Sequence, residues 1–276
     1  MTDRILDPDP SFGQRAGRGL LRMAGLHPDD VGRDPLHISG ARALCVASSH
    51  GVLDIGVATG VFASELTVPY YAFLDAGLSV DVASIQGGIV PVDPLSMKPA
   101  IRCAHDDRML ADPKLRAKLT RSLPVADTDF AAYDIVFLAG GWGAAFDFAQ
   151  SDALAQRMSE AHAAGRILGG ICHGPLGLLR ARRPDGELLI RGRRLTAVTD
   201  RQVRQLGITL TPLHPEAALR GAGARYESRR HAFRDFFANH FVADDDLITG
   251  QNQNAGPMVA RLMLERLREK RASRAH

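Results

Sequence analysis

Little in this sequence is aromatic or sulfur-bearing: one Trp, four Tyr and three Cys stand among 276 residues. Three cysteines leave an odd one out and make no C-x-x-C pair, which argues against a disulfide framework and against a cysteine-rich zinc site. No apolar run approaches the roughly 20 residues that a membrane-spanning helix needs. Charge of one sign is scarce too. The net charge is +3, the basic residues are mostly interleaved with acids, and no aromatic-basic interleaving points to nucleic acid. The strongest basic cluster, residues 261–274, has the spacing of a helix face. The first ten residues, Met-Thr-Asp-Arg-Ile-Leu-Asp-Pro-Asp-Pro, lack the positive n-region and apolar core of a secretory signal. A cytoplasmic protein that binds neither membrane nor nucleic acid is the expectation. What the chain does have is 45% hydrophobic residues, enough for a sizeable core.

Residues 1–38 are rich in Pro, Gly, Asp and Arg, with a short helical candidate over 14–24, and read as an N-terminal extension. An α/β domain over 39–270 follows. Its apolar runs at 43–48, 134–139 and 166–171 are those of strands buried on both faces, and 78–84 alternates like a strand. Helices are expected over 62–76, with Pro69 a break or kink, over 151–164, capped by Ser151 or Asp152, and over 174–182. Arg191-Gly192 marks a hairpin or tight bend, and a strand at 246–249 leads into an amphipathic helix with Val259, Leu262, Met263 and Leu267 on one face. Strands alternating with helices predict a doubly wound, mainly parallel sheet. The stretch 86–123 interrupts the rhythm with Pro91, Pro94 and Pro99 and a helix over 107–121, as a lid insertion would.

One turn asks for chemistry. A buried strand runs into Gly169-Gly170-Ile171-Cys172-His173-Gly174-Pro175, and the glycines on either side of Cys172 leave room for a sharp strand-to-helix turn. This is the pattern of a nucleophile elbow with cysteine in the place of serine. It would hold the side chain above the carboxyl edge of the sheet, with a helix N-terminus favouring the thiolate. A thiol pKa below that of free cysteine is the expectation. Leu138-Ala-Gly-Gly-Trp-Gly follows another buried strand, and there Gly140 and Gly141 form a turn. The Gly141 N–H, with that of His173, would make an oxyanion hole. Glu65, early in the helix after the first strand, belongs to the same edge. Cys45, in an apolar run, reads as a small buried hydrophobe, and Cys103 is open.

Taken in order, these segments resemble the ThiJ/PfpI (DJ-one) superfamily, of the class I glutamine amidotransferase-like, flavodoxin-like fold. The markers are Gly56-Val-Ala-Thr-Gly-Val-Phe-Ala-Ser-Glu-Leu-Thr-Val-Pro-Tyr, Asp75-Ala-Gly-Leu-Ser-Val-Asp-Val-Ala-Ser, Val92-Asp-Pro and Leu138-Ala-Gly-Gly-Trp-Gly. Ile171-Cys-His-Gly-Pro, Asp185-Gly-Glu-Leu-Leu-Ile-Arg-Gly and Leu247-Ile-Thr-Gly-Gln-Asn complete the series, which covers residues 43–260. The combination is most similar to the heat-shock chaperone and glyoxalase III branch. The resemblance implies that Cys172 is the nucleophile, His173 its triad histidine and Glu65 the buried glutamate that hydrogen-bonds the sulfur. It places the triad acid at Asp200, with Glu216 the weaker candidate and the cap of a helix over 201–206 the other reading of Asp200. It also implies a homodimer. Trp142 stands where glyoxalase-type relatives carry a histidine, which makes the substrate-binding wall at Gly140, Gly141 and Trp142 larger and less polar. Metal ligands of some members have no match here, and His105 and Asp106 read as surface residues.

The chemistry so implied needs no cofactor or metal. Cys172 would add to a reactive dicarbonyl of the methylglyoxal kind, the oxyanion would sit on backbone N–H groups, and Glu65 or His173 would move a proton to give a hydroxy acid. Two other readings use the same residues. One is a cysteine hydrolase or amidase acting by acyl transfer. The other is a holding chaperone or redox-responsive stress protein in which the cysteine oxidises.

Overall fold

The computed structural model describes residues 36–208, 211–232 and 234–274; the helical candidate over 14–24 lies outside them. Nine strands are described: β1 (Arg42–Ala47), β2 (Ser79–Ser84), β3 (Leu123–Pro124), β4 (Ile135–Leu138), β5 (Ile167–Ile171), β6 (Arg194–Leu195), β7 (Arg225–Tyr226), β8 (Phe241–Asp244) and β9 (Leu247–Gly250). Seven form one sheet in the order β3-β2-β1-β4-β5-β9-β8, parallel except for the antiparallel edge β8, and β6 pairs with β7 in a small parallel ribbon. The mainly parallel sheet is the one the alternation of strands and helices predicts.

The strands are apolar on both faces because both faces are covered. Along β1, Ala43, Cys45 and Ala47 face one core, while Leu44 and Val46 face the other. Along β4, Ile135 and Phe137 oppose Val136 and Leu138 in the same way. This is the two-residue period of a strand applied to a layer buried twice. The first core is closed by the helices Ala63–Asp75 and Gly256–Arg274, through Leu66, Tyr70, Phe73, Val259, Met263 and Leu267. The second is closed by the helix Asp152–Ala163, with Leu154, Met158 and Ala161 inward. Cys45 is fully buried in the first core, as a small hydrophobe.

Local chemistry sets several boundaries. Ser151 caps its helix by accepting from the Leu154 N–H at 3.1 Å. The helix Ala63–Asp75 runs through Pro69 without ending. The single helix expected over 107–121 is two, Ala104–Ala111 and Pro113–Thr120, because Asp112 caps the second one and Pro113 opens it. Asp106, expected at the surface, is fully buried. It accepts from Thr67 Oγ1 at 2.6 Å and from the Cys103 N–H at 2.8 Å, forming a capping box with Cys103. Arg191-Gly192 makes a bend rather than a hairpin, since its downstream strand β6 pairs with β7. The basic C-terminal helix spends its cations locally: Arg261 on Glu265, Arg266 and Lys270 on Asp246, and Arg271 on the carbonyls of Ser39 and Gly40.

Strand order reverses between β1 and β4. In a doubly wound sheet this is where the loops leaving the carboxyl ends part to opposite faces and leave a crevice. The loops after β1, β4 and β5 all open there.

Candidate active site

The chain turns sharply after β5. Cys172 has φ of +57°, in the left-handed region that a residue with a Cβ seldom occupies, at a cost of about 1–3 kcal/mol. Its backbone is held from both sides: the Cys172 N–H donates to Gly250 O at 3.0 Å, and the Val198 N–H donates to Cys172 O at 3.0 Å. This is the strained elbow that the glycines around Cys172 predict. The segment after it departs from expectation. In place of an α-helix over 174–182 there is a five-residue 3-10 helix, Gly174–Leu178, whose Gly174, Pro175 and Gly177 are poor α formers. Gly174 packs its bare Cα against Leu138 O.

Glu65 reaches the elbow from the first turn of the Ala63–Asp75 helix. Its side chain is 2% exposed, and its carboxyl meets the Cys172 thiol and accepts from the Gly141 N–H. Two glycines make this approach possible. A Cβ on Gly140 would collide with Glu65 Oε2 and sit 2.6 Å from Ile171 O and 2.8 Å from Cys172 Cβ. Gly141 has φ of +109° and faces Gly60 O and the Phe62 N–H with no room for a methyl group. The Phe62 N–H in turn donates to Gly140 O at 3.3 Å. The Gly141 and His173 N–H groups both face the Cys172 sulfur.

Burial governs the protonation of all three side chains. It pushes the Glu65 carboxyl up to about 8; the Cys172 thiol and the Gly141 N–H oppose the rise, and the charge of Asp93 adds to it. Burial also pushes the Cys172 thiol well above its ordinary value, helped by the Glu65 carboxylate and opposed by the two N–H groups. The lowered thiol pKa expected from the motif is therefore reversed. A motif shows the N–H donors but not the desolvation, and a short 3-10 helix supplies less dipole than a full α-helix would. His173 is pushed down to about 4 by burial and by the neighbouring His214. At neutral pH the site holds a thiol, a carboxylic acid and a neutral imidazole.

His173 Nδ1 lies 3.4 Å from Cys172 Sγ. Its other nitrogen, Nε2, is buried and has no hydrogen-bond partner among the described residues, and neither has Asp200 Oδ1. The expected contact between His173 and Asp200 is therefore not made. Asp200 Oδ1 stands 4.0 Å from His214 Nδ1, and the Asp200 N–H donates to Glu216 Oε2 at 3.2 Å. Glu216 also takes Arg220. Asp200 is the first residue of the helix Asp200–Gln205 rather than its cap; Thr199 caps it, accepting from the Gln202 N–H at 3.0 Å. The helix start turns its acid toward His214, a long-range placement that spacing from the elbow does not reveal.

Cys172 opens onto a cavity of about 450 Å³. Trp142 packs beside the sulfur with Val198, Val203 and Ile208. Sequence reasoning missed most of the remaining wall, including Phe62, Asp93, Gln202, Phe236 and Phe237. The signals were partial. Asp93 lies in Val92-Asp-Pro, and the run after β9 holds the wall from behind, with Asn252, Gln253 and Asn254 all donating side-chain amide N–H groups to Phe236 O. Nothing local marks Phe236 or Phe237.

The fold and the site define a doubly wound α/β protein that sets a strained cysteine, a buried glutamic acid and a histidine together at the carboxyl edge of its sheet. The sequence pattern of the DJ-1/PfpI family matches residues 53–266, and this chain belongs to that family. It is 27% identical over 241 residues to a protein of Schizosaccharomyces pombe named glutathione-independent glyoxalase hsp3101, covering 82% of this chain and 94% of the relative. It is 29% identical over 228 residues to a probable glutathione-independent glyoxalase of Saccharomyces cerevisiae, covering 77% and 91%. Among solved structures, glyoxalase III from Candida albicans superposes with a TM-score of 0.73 at 25% identity, over 82% of this chain and 97% of that one. The 24 kDa rapid encystment protein of Francisella tularensis superposes with a TM-score of 0.76 at 30% identity, over 82% and 99%.

Proposed function

We propose that this chain is a glutathione-independent enzyme of the glyoxalase III type, converting reactive dicarbonyls to 2-hydroxy acids on Cys172. The observation that carries the reading is the surroundings of one sulfur: His173 Nδ1 at 3.4 Å, the Glu65 carboxyl, and the N–H groups of Gly141 and His173. The names of the yeast relatives supply the reaction class.

The chemistry follows from the protonation states. Sulfur attacks the aldehyde carbon while its proton passes to the neutral Nδ1 of His173, so that a buried thiolate need not persist. The carbonyl oxygen, its developing charge met by the two N–H donors, then takes that proton from Nδ1 and becomes the hydroxyl of a hemithioacetal. The hemithioacetal C–H proton then moves to the adjacent carbonyl carbon through an enediol. Glu65 suits this transfer: a carboxyl titrating near 8 is ionised in a fraction of molecules at neutral pH, and in that form it takes the C–H proton and returns it to the neighbouring carbon, through an Oε2 with no hydrogen-bond partner among the described residues. The product is a 2-hydroxyacyl thioester. Water cleaves it, releasing the hydroxy acid and restoring the thiol, so that dicarbonyl plus water gives hydroxy acid.

In this reading the stretch 86–123 serves as the lid, a role supported by Leu95 and Ile101 lining the cavity. The cytoplasmic location and the homodimer belong to the same proposal; no helix among the described residues is long and apolar enough to cross a membrane. The test is lactate formed from methylglyoxal without glutathione. Wild type is expected to turn over, and Cys172→Ser to lose about a thousandfold or more. A Cys172→Ser protein that keeps wild-type activity overturns the proposal.

A further inference from the structure

The cavity is built for more than a three-carbon dicarbonyl. At about 450 Å³ it falls in the roughly 300–1,000 Å³ range of pockets that enclose drug-sized ligands. Beyond the sulfur much of its wall is aromatic or aliphatic, with Phe62, Trp142, Phe236, Phe237, Leu206 and Leu95; Gln202 also lines it, its Oε1 without a hydrogen-bond partner among the described residues. Several polar side chains in the lining are turned into the protein. Asp93 accepts from the Leu95 N–H and from Thr59 Oγ1, Gln205 Oε1 accepts from the Asp235 N–H, and Gln253 donates to Phe236 O. Arg234 stands at the exposed rim.

The aromatic wall is fixed in place. Three side-chain amides converge on the carbonyl of Phe236, at 3.0, 3.2 and 3.3 Å. The Phe236 and Phe237 rings meet edge to face with centroids 5.4 Å apart. Leu95 and Leu206, at 44% and 41% exposure, are among the large apolar side chains left open to solvent, and both line this cavity. Apolar surface presented to water at the mouth of a reactive site is surface awaiting an apolar ligand.

We infer that the preferred substrates are 2-oxoaldehydes carrying an aryl group on the ketone carbon, with the aldehyde at Cys172 and the ring against Trp142, Phe236 and Phe237. The inference rests on the glyoxalase reading and narrows its substrate class. A methyl group leaves most of this wall uncovered. An aryl ring covers it and gains the edge and face contacts that aromatic pairs favour, and such remote binding energy can be spent on the reacting end.

The test compares phenylglyoxal with methylglyoxal on the full chain, following mandelate and lactate respectively. Wild type is expected to favour phenylglyoxal by about tenfold or more in kcat/KM, with the lower KM. Leu206→Gln and Leu95→Gln, at exposed positions where folding is not at stake, are expected to shrink that ratio about threefold or more. A wild-type ratio at or below one overturns the inference while leaving the glyoxalase reading standing. A ratio that survives both substitutions unchanged also overturns it, since the preference would then not come from this wall. Turnover of neither substrate overturns both.

Discussion

His173 Nδ1 lies 3.4 Å from Cys172 Sγ, while the opposite ring nitrogen meets no acceptor among the described residues. No acid among the described residues is hydrogen-bonded behind this imidazole. His173→Ala is expected to lower kcat/KM by about a hundredfold or more, the usual scale for a lost general base. Asp200→Asn is expected to lower it less than about threefold. Steady-state kinetics on the two variants checks this, and a loss at Asp200 as large as that at His173 would restore the acid to the triad.

The interlock between Gly140 and Glu65 is tested by one methyl group. Gly140→Ala places a Cβ on Glu65 Oε2 and 2.6 Å from Ile171 O, neither of which can retreat far. A destabilisation of about 1–3 kcal/mol is expected from overpacking, together with near-complete loss of activity as the carboxyl is displaced. Urea denaturation and turnover report the two effects separately.

Stability should depend on pH through Glu65. Its carboxyl titrates near 8 in the fold against an ordinary value of 4.5, so between those pH values the unfolded chain releases a proton that the folded chain keeps. Stability from this group is full below about pH 4.5 and is lost as pH rises to 8, at a limiting slope of about 1.4 kcal/mol per pH unit. Glu65→Gln removes the dependence. The variant's stability relative to wild type is therefore expected to be smallest at pH 4.5, to rise through neutrality and to level off above pH 8. His173, pushed down to about 4, destabilises both proteins alike as pH falls below its ordinary 6.5, so the difference isolates Glu65. Denaturant midpoints at five pH values check it; a flat difference would mean that Glu65 is ionised throughout.

The thiol itself should be slow in the empty site. With its pKa raised by burial, Cys172 is expected to react with iodoacetamide more slowly than free cysteine at pH 7, with a rate still climbing above pH 9. One thiol per chain is expected to react in the folded protein, because Cys172 lines the cavity whereas Cys45 and Cys103 are fully buried. All three should react after denaturation. Mass spectrometry of timed samples reads both, and a rate that levels off below pH 8 would contradict the burial argument.

The elbow was legible because its requirements are local. A residue forced to positive φ between glycines, at the end of an apolar strand, leaves its mark within seven residues. The sheet was legible for the same reason, since strands buried on both faces must be apolar throughout. What the sequence hid depends on distance or on water. Asp200 and His173 are well separated along the chain, and which way the acid turns is settled by His214 and Glu216. Asp106 looks like a surface residue until Thr67 and the Cys103 N–H close around it. The direction of the Cys172 shift hides most completely, because the cost of removing water is set by everything packed nearby and by no single neighbour.

Three backbones meet at the Gly140-Gly141 turn with no space for an added methyl group, while the far wall of the cavity is made of side chains on the 3-10 helix Asp235–Phe237 and on residues 95–101. The two halves therefore tolerate mutation very differently. A change at the turn disturbs helix, elbow and sulfur at once. A change in the wall reshapes only the ligand's resting place. Substitutions in the wall are therefore expected to alter which ligand is preferred while leaving the elbow and its sulfur in place.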